Sequence, residues 1–301
     1  MAAVVEATMN YYLDPSKGGS GPSTFGTAGI LRRKFDAHPI QVHNVRGLES
    51  EFDIHTHTFQ ICEWNPSTTS LDSNNIKQTI YREAKELIKR VTEATRVHCF
   101  SHLIRQNTFE SNVEALRKLE AAKGNVSNRQ EIGVTVPAQY AHVNQSGMGA
   151  LSLLRHNLPD KAERLTKTRW RTVNLWRPIK TIRRDPLCYC DRRTVSDEDL
   201  VPVFAKPPSK EAGASPFYDT KHLGDRFQTL EVRANPKHKW YYLSEMRPDE
   251  ALVFKCYDSK NPSENRCCHS SFRLPQTFDE PRESMEMRFF VFYENEPLDE
   301  M

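Results

Sequence analysis

Arg282-Glu-Ser-Met-Glu-Met-Arg-Phe-Phe-Val-Phe-Tyr293 carries the strongest strand signal in the chain, and the fold is read outward from it. Successive side chains of a strand point to opposite faces. Arg282, Ser284, Glu286, Arg288, Phe290 and Phe292 therefore share one face, and Met285, Met287, Phe289, Val291 and Tyr293 the other. Four polar residues in succession suggest a polar site lined by the first face. The plainer reading leaves that face in water, with only the methionine-aromatic face in a core.

Two further strands lie upstream. Thr172-Val-Asn-Leu-Trp-Arg177 alternates and stops at Pro178, and Ala251–Tyr257 is an apolar run between the turn signals Pro248-Asp249 and Asp258-Ser259. Before residue 170 the period is helical. Ile76, Ile80, Ala84, Leu87, Ile88 and Val91 fall on one face of a helix over 74–93. Val113, Leu116 and Leu119 mark a second helix over 109–122, and a third covers 148–157, ahead of Pro159. Helices first and short strands later predict an α+β chain: a double-stranded β-helix (jelly-roll, cupin-like) core with flanking helices. The Gly/Ser-rich residues 15–28 read as flexible, and no Gly-Lys-Ser/Thr follows to make a phosphate loop. The expected organisation is an N-terminal arm over 1–34 and one oxygenase-type domain over 35–301.

The bulk numbers exclude several classes. With 301 residues, 38% hydrophobic and 27% charged, the chain is long enough for a full core and too apolar to be disordered. Its 42 basic residues nearly balance 39 acidic ones, so no nucleic-acid footprint is expected. Arg169-Trp-Arg171 and Arg183-Arg184 read as solvated loop ends or a local anion pocket in preference to a nucleic-acid footprint. No apolar run is long enough for a membrane helix, and the first residues lack a signal-peptide pattern. Seven cysteines without secretion features predict reduced thiols and a cytoplasmic protein, and Cys188-Tyr-Cys190 and Cys267-Cys268 lack zinc-site spacing. A homodimer is compatible with the sequence, which does not set an oligomeric state.

Of the 11 histidines, two have informative company. One stands in Tyr140-Ala-His142-Val-Asn144-Gln-Ser146, and the other is His269, followed thirteen residues later (282 − 269) by Arg282-Glu-Ser284. A non-haem oxygenase needs two imidazoles and a carboxylate on one face of Fe(II), with the remaining positions open to co-substrate and oxygen. His-x-Asp on a strand supplies two of these on one face, and a distal histidine the third. An Arg-x-Ser pair can grip a carboxylate through guanidinium and hydroxyl. Taken alone this spacing recurs by chance. His55-Thr-His57 would place two rings on one strand face, but no third ligand follows, and a structural role is favoured.

Asn174-Leu-Trp-Arg-Pro178, Arg184-Asp-Pro-Leu187, Asp191, Trp240-Tyr-Tyr242, Pro248-Asp-Glu-Ala-Leu252, Lys255-Cys-Tyr-Asp-Ser259, His269-Ser-Ser-Phe272 and Pro281-Arg-Glu-Ser284 form an ordered set within a resemblance that runs from about residue 35 to 293. In that set the chain resembles the fungal hydroxylase/desaturase family, which includes gibberellin desaturase-like and aspergillic-acid-type hydroxylases and relatives of cephalosporin methoxylation proteins. The resemblance implies Fe(II)- and 2-oxoglutarate-dependent oxidation of a small secondary metabolite by O₂: hydroxylation, desaturation or oxidative rearrangement. It implies that His142 and His269 hold the metal and that Arg282 and Ser284 clamp 2-oxoglutarate. Arg288, on the same strand face, joins the expected cofactor-binding set. Tyr140, Asn144 and Gln145 are the candidate catalytic residues, and Asn174, Trp176 and Tyr241 the candidate substrate contacts.

One position departs from the family. Its His-x-Asp-Gln-Ser pattern reads His142-Val-Asn144-Gln145-Ser146 here. Asn is nearly isosteric with Asp but neutral, so its carbonyl oxygen ligates a dication only weakly. Three expectations follow: Asn144 is a weak third ligand and oxidation proceeds; the metal site is degraded and the pocket acts as a redox-neutral cyclase or isomerase; or Asn144 is an engineered substitution.

Overall fold

The computed structural model describes residues 3–20, 26–132, 136–206, 214–215, 218–219, 227–276 and 278–298. Its strands in chain order are β1 (Val4–Tyr11), β2 (Asp36–Asn44), β3 (Phe59–Glu63), β4 (Arg96–Arg105), β5 (His142–Val143), β6 (Thr168–Pro178), β7 (Leu187–Cys190) and β8 (Leu200–Ala205). They continue with β9 (Ala214–Ser215), β10 (Tyr218–Asp219), β11 (Phe227–Val232), β12 (Trp240–Tyr242), β13 (Glu250–Asp258), β14 (His269–Ser271) and β15 (Ser284–Pro297). Two sheets result, ordered β1-β2-β12-β7-β14-β5-β11-β8 and β3-β13-β6-β15-β4-β10-β9. Neighbours are antiparallel except β2 and β12, which run parallel. This is the jelly-roll arrangement that the strand pattern predicts.

β15 is flanked by β4 and β6, so both of its edges are paired. Met285, Met287, Phe289 and Val291 are wholly buried against Ile80, Ala84, Leu87 and Ile88 of the helical segment that covers the second sheet. That segment runs as Ser73–Asn75, a π-helical turn Ile76–Ile80 and the helix Tyr81–Thr92, on the face that its 3.6-residue spacing predicts. Each such side chain contributes roughly 1.5–3 kcal/mol on burial. Ser284, Glu286 and Arg288 face the other way and are 1%, 5% and 9% exposed. The polar face of β15 is therefore interior, and the solvated-face reading is excluded.

Several expectations need correction. Residues 4–11 are not part of an arm. β1 pairs with β2 along its length, and Met9 and Tyr11 bury their side chains. Strands β1 to β4 precede or interrupt the helices, so the order is not helices first. His55 and His57 lie in a turn before β3, not on a strand. The helix Phe109–Lys123 buries Leu116 but leaves Val113 exposed.

The helix Gly147–Asn157 starts where β5 ends. Ser146 caps it, its Oγ accepting from the Gly149 amide at 3.0 Å. A Cβ on Gly149 would stand 2.0 Å from the Gln228 carbonyl oxygen on β11. Only glycine lets the first turn lie this close to β11, and that contact fixes the segment carrying His142 and Asn144.

Candidate active site

The register of the first sheet aligns a row of residues across one face. His142 on β5 is opposite His269 on β14, which is opposite Tyr189 on β7, which is opposite Tyr241 on β12. The His142 and His269 ring centroids are 4.4 Å apart. His142 Nδ1 pairs with the Tyr140 carbonyl at 2.8 Å, and His269 Nδ1 with the Cys267 carbonyl at 3.0 Å. A carbonyl accepts only, so each Nδ1 carries the proton and each Nε2 presents a lone pair. Burial, and then the neighbouring His269, pushes His142 down to about 3, and burial also lowers His269. Both rings are thus neutral, the form that binds a metal.

Asn144 follows β5. Its Nδ2 donates to Glu286 Oε1 at 3.3 Å across the gap between the sheets. Glu286 accepts from Arg288 Nε at 2.9 Å, and Arg105 lies 3.7 Å from its other oxygen. Burial alone would raise the Glu286 pKa, but Arg288 and Arg105 outweigh it and hold the group at about 2. An ionised carboxylate accepts only, so it fixes the Asn144 amide with nitrogen towards Glu286. The carbonyl Oδ1 is the amide atom left for a cation. No group of three His, Cys, Asp or Glu residues suited to a metal exists among the described residues.

The two candidate clamp residues lie at the entry to β15, Arg282 just before it and Ser284 as its first residue. Arg282 is 3% exposed, donates through one terminal nitrogen to the Asp185 carbonyl at 2.8 Å and Ser271 Oγ at 3.2 Å, and stacks 5.5 Å from the Trp176 ring. Its Nε and the Ser284 hydroxyl are buried without a hydrogen-bond partner among the described residues. Burial, then repulsion from Arg105, lowers the guanidinium to about 9. A buried cation and an orphaned hydroxyl on one strand face are costly unless an anion fills the space beside them. They fit the carboxylate of 2-oxoglutarate. The two Nε2 atoms with Asn144 Oδ1 fit a divalent iron, with an amide in place of the carboxylate.

The remaining expected residues divide. Tyr140 is brought in, its ring 4.7 Å from that of His142 and stacked on Phe35. Gln145 accepts from Thr172 Oγ1 at 3.2 Å and ties β5 to the second sheet. Asn174 lies opposite Arg288, with Nδ2 buried and without a hydrogen-bond partner among the described residues. Trp176 lies under Arg282, at the clamp end. Arg288 folds onto Glu286 and supports that carboxylate. Tyr241 is separated from His269 by Tyr189 and packs on Phe52 and Phe59, 5.1 and 6.2 Å between centroids. Sequence reading missed three contributors. Glu286 was visible in the β15 alternation, Tyr189 shares the histidine face and has a buried hydroxyl without a partner among the described residues, and Phe254 packs 4.7 Å from the His269 ring.

Comparison with known proteins agrees with this fold. Residues 9–292 match a family model described as an oxidoreductase/YMDC permease-like domain, though no helix among the described residues is long and apolar enough to cross a membrane. The hydroxylase/desaturase CTB9 of Cercospora beticola is 35% identical over 97% of this chain and 87% of its own length. The hydroxylase/desaturase efuI of Hormonema carpetanum is also 35% identical, over 97% and 96%. Among solved structures, the iron and alpha-ketoglutarate-dependent endoperoxidase NvfI superposes with a TM-score of 0.73 at 25% identity, covering 97% of this chain and 99% of that one. A jelly-roll with paired interior histidines, an interior Arg-x-Ser and end-to-end similarity to these fungal enzymes places the chain in the hydroxylase/desaturase family.

Proposed function

We propose that the protein is an Fe(II)/2-oxoglutarate-dependent oxygenase that oxidises a small secondary metabolite with O₂. The carrying observation is the buried pair Arg282 Nε and Ser284 Oγ, without hydrogen-bond partners among the described residues, at the entry to the strand whose Glu286 reaches Asn144. Bound iron with 2-oxoglutarate supplies the oxidation of a substrate C–H bond, the co-substrate leaving as succinate and CO₂. The chain supplies position. His142 and His269 present fixed lone pairs, Glu286 orients Asn144, and Arg282 and Ser284 hold the far carboxylate over Trp176. Asn174, Tyr189 and, further along the row, Tyr241 face the space left for substrate, and apolar walls such as Phe254 exclude water.

No observation favours a redox-neutral cyclase, for which the anion clamp has no use. Seven free cysteines, six of them buried, support a reducing, cytoplasmic setting. The test is anaerobic titration with Fe(II) and 2-oxoglutarate. A visible charge-transfer absorption that needs both components is expected, followed by succinate formation on admitting O₂ and substrate. Undiminished turnover in EDTA without O₂ sinks the proposal.

A further inference from the structure

His55 was read in the sequence as structural, and the Arg169/Arg171 pair as solvated loop ends or a local anion pocket. The fold brings them to one cavity of about 460 Å³, within the size range of small-ligand pockets. β13 and β6 alternate, so Phe254 and Asn174 face the histidines while Lys255 and Arg171 face the opposite side of the sheet. The cavity is therefore separate from the candidate active site. Arg169, Arg171, Arg192, Arg193 and Lys255 line it, against a single lining carboxylate, Glu264, and no apolar side chain.

Most of these cations have carboxylate partners. Arg171 and Arg169 share Asp258, at 2.6 and 2.8 Å, and Arg193 pairs with Asp191 at 2.7 Å. Arg192 lies 3.3 Å from Asp197, but its Nε is buried without a hydrogen-bond partner among the described residues. Lys255 differs. It is 1% exposed, and its ammonium bonds to neutral atoms only, Asn265 Oδ1 and, at 3.5 Å, the His55 carbonyl. An ammonium has three donors, so one is left for the cavity. Burial, then the charge of Arg171, pulls Lys255 down to about 8, and burial with the same cations lowers His55. Five lining cations face one lining carboxylate, although Asp258, Glu296, Asp191 and Asp197 pair with the four arginines from outside the lining.

We propose that this cavity is a binding site for a phosphate group, either the free anion or a phosphorylated small molecule, held by Lys255 and Arg192 at its base and by Arg193 at its mouth. Two negative charges and several acceptor oxygens match an unpaired ammonium, a free guanidinium N–H and forked neighbours. The Arg193 side chain is 57% exposed, which leaves the entrance in solvent.

The test is calorimetric titration of the intact protein with inorganic phosphate, pyrophosphate and phenyl phosphate, against sodium chloride at equal ionic strength. Saturable binding is expected for at least one phosphate and not for chloride. Tightest binding of inorganic phosphate identifies the free anion, and tighter binding of phenyl phosphate identifies a monoester. Lys255→Met should weaken binding at least about tenfold, the loss of one charge-assisted hydrogen bond. Arg193→Ala, at a half-exposed position that leaves the fold intact, should weaken it severalfold. Arg282→Met should bind phosphate as the unaltered protein does, which separates this site from the clamp. Absence of saturable phosphate binding, unchanged affinity in Arg193→Ala, or loss of binding in Arg282→Met overturns the proposal.

Discussion

At the residue scale the decisive contact is the hydrogen bond from Asn144 Nδ2 to Glu286 Oε1. An aspartate at 144 would gain charge for the metal but would set two buried carboxylates against each other. Asn144→Asp is therefore expected to bind divalent metal at least about tenfold more tightly, while its metal-free form melts lower than the unaltered protein. Calorimetry with Mn(II) and thermal unfolding in EDTA check both halves. Unchanged affinity would mean that residue 144 does not face the metal. Arg282 makes the opposite case, because its guanidinium has no carboxylate within ion-pair distance among the described residues. Replacing a buried charge of this kind by an apolar side chain is often neutral or stabilising. Arg282→Met should keep or raise the melting temperature of the free protein, yet weaken 2-oxoglutarate binding by about a hundredfold, some 2.8 kcal/mol. A fall in both would mark Arg282 as structural. His142, His269, Arg282 and Ser284 were singled out in sequence by resemblance to the family's motifs, because their spacing alone recurs by chance. The Glu286 contact was not, since it joins residues 142 positions apart through a register that no local pattern encodes.

At the scale of the element, legibility followed periodicity. The Tyr81–Thr92 helix and strands β6, β13 and β15 carry long patterns and stand where the pattern put them. β5 and β14 are two and three residues long, too short for any period, and yet they carry both histidines. β1 was missed because its flanking Gly/Ser run suggested an arm, whereas its order comes from pairing with β2. The join between β6 and β13 bears the clearest electrostatic signature. The Asp258 side chain is wholly buried and bonds Arg169 and Arg171 on the neighbouring strand, next to the register shift in β13. Burial would raise its pKa, but the Arg169 hydrogen bonds and the Arg171 charge outweigh burial and hold it below the ordinary carboxylate value. A carboxylate with a depressed folded pKa contributes stability that is present above its unfolded pKa of about 3.9 and lost as pH falls through the folded value. Asp258→Asn should therefore cost about 3–5 kcal/mol at neutral pH, by leaving two arginines without their shared anion. Its deficit should shrink below about pH 4, as the unaltered protein loses the same charge. Urea unfolding at pH 7 and at pH 3 reads both. A deficit independent of pH would assign the effect to packing.

For the whole molecule, the jelly-roll was legible as a class because alternating strands and a covering helix admit few layer architectures, whereas strand order was not, because it depends on pairing between distant segments. That pairing has a thermodynamic consequence. The metal candidates His142 and His269 belong to one sheet, and Glu286, Ser284 and Trp176 to the other, with Arg282 reaching Ser271 of the first. Metal and 2-oxoglutarate bound between them would bridge both sheets, and neither sheet alone forms the site. A ligand that binds only the folded state at a hundred times its Kd stabilises by about 2.7 kcal/mol. In a chain of this size each kcal/mol raises the melting temperature by roughly 2–4 °C. Mn(II) with 2-oxoglutarate should thus raise the midpoint by about 5–10 °C, in one transition followed equally by far-UV and near-UV circular dichroism. In Arg282→Met the Mn(II) part of the shift should remain and the 2-oxoglutarate part disappear. Two separate transitions, with the ligands moving only one of them, would show that the site resides in one sheet and that the interior row does not join the two.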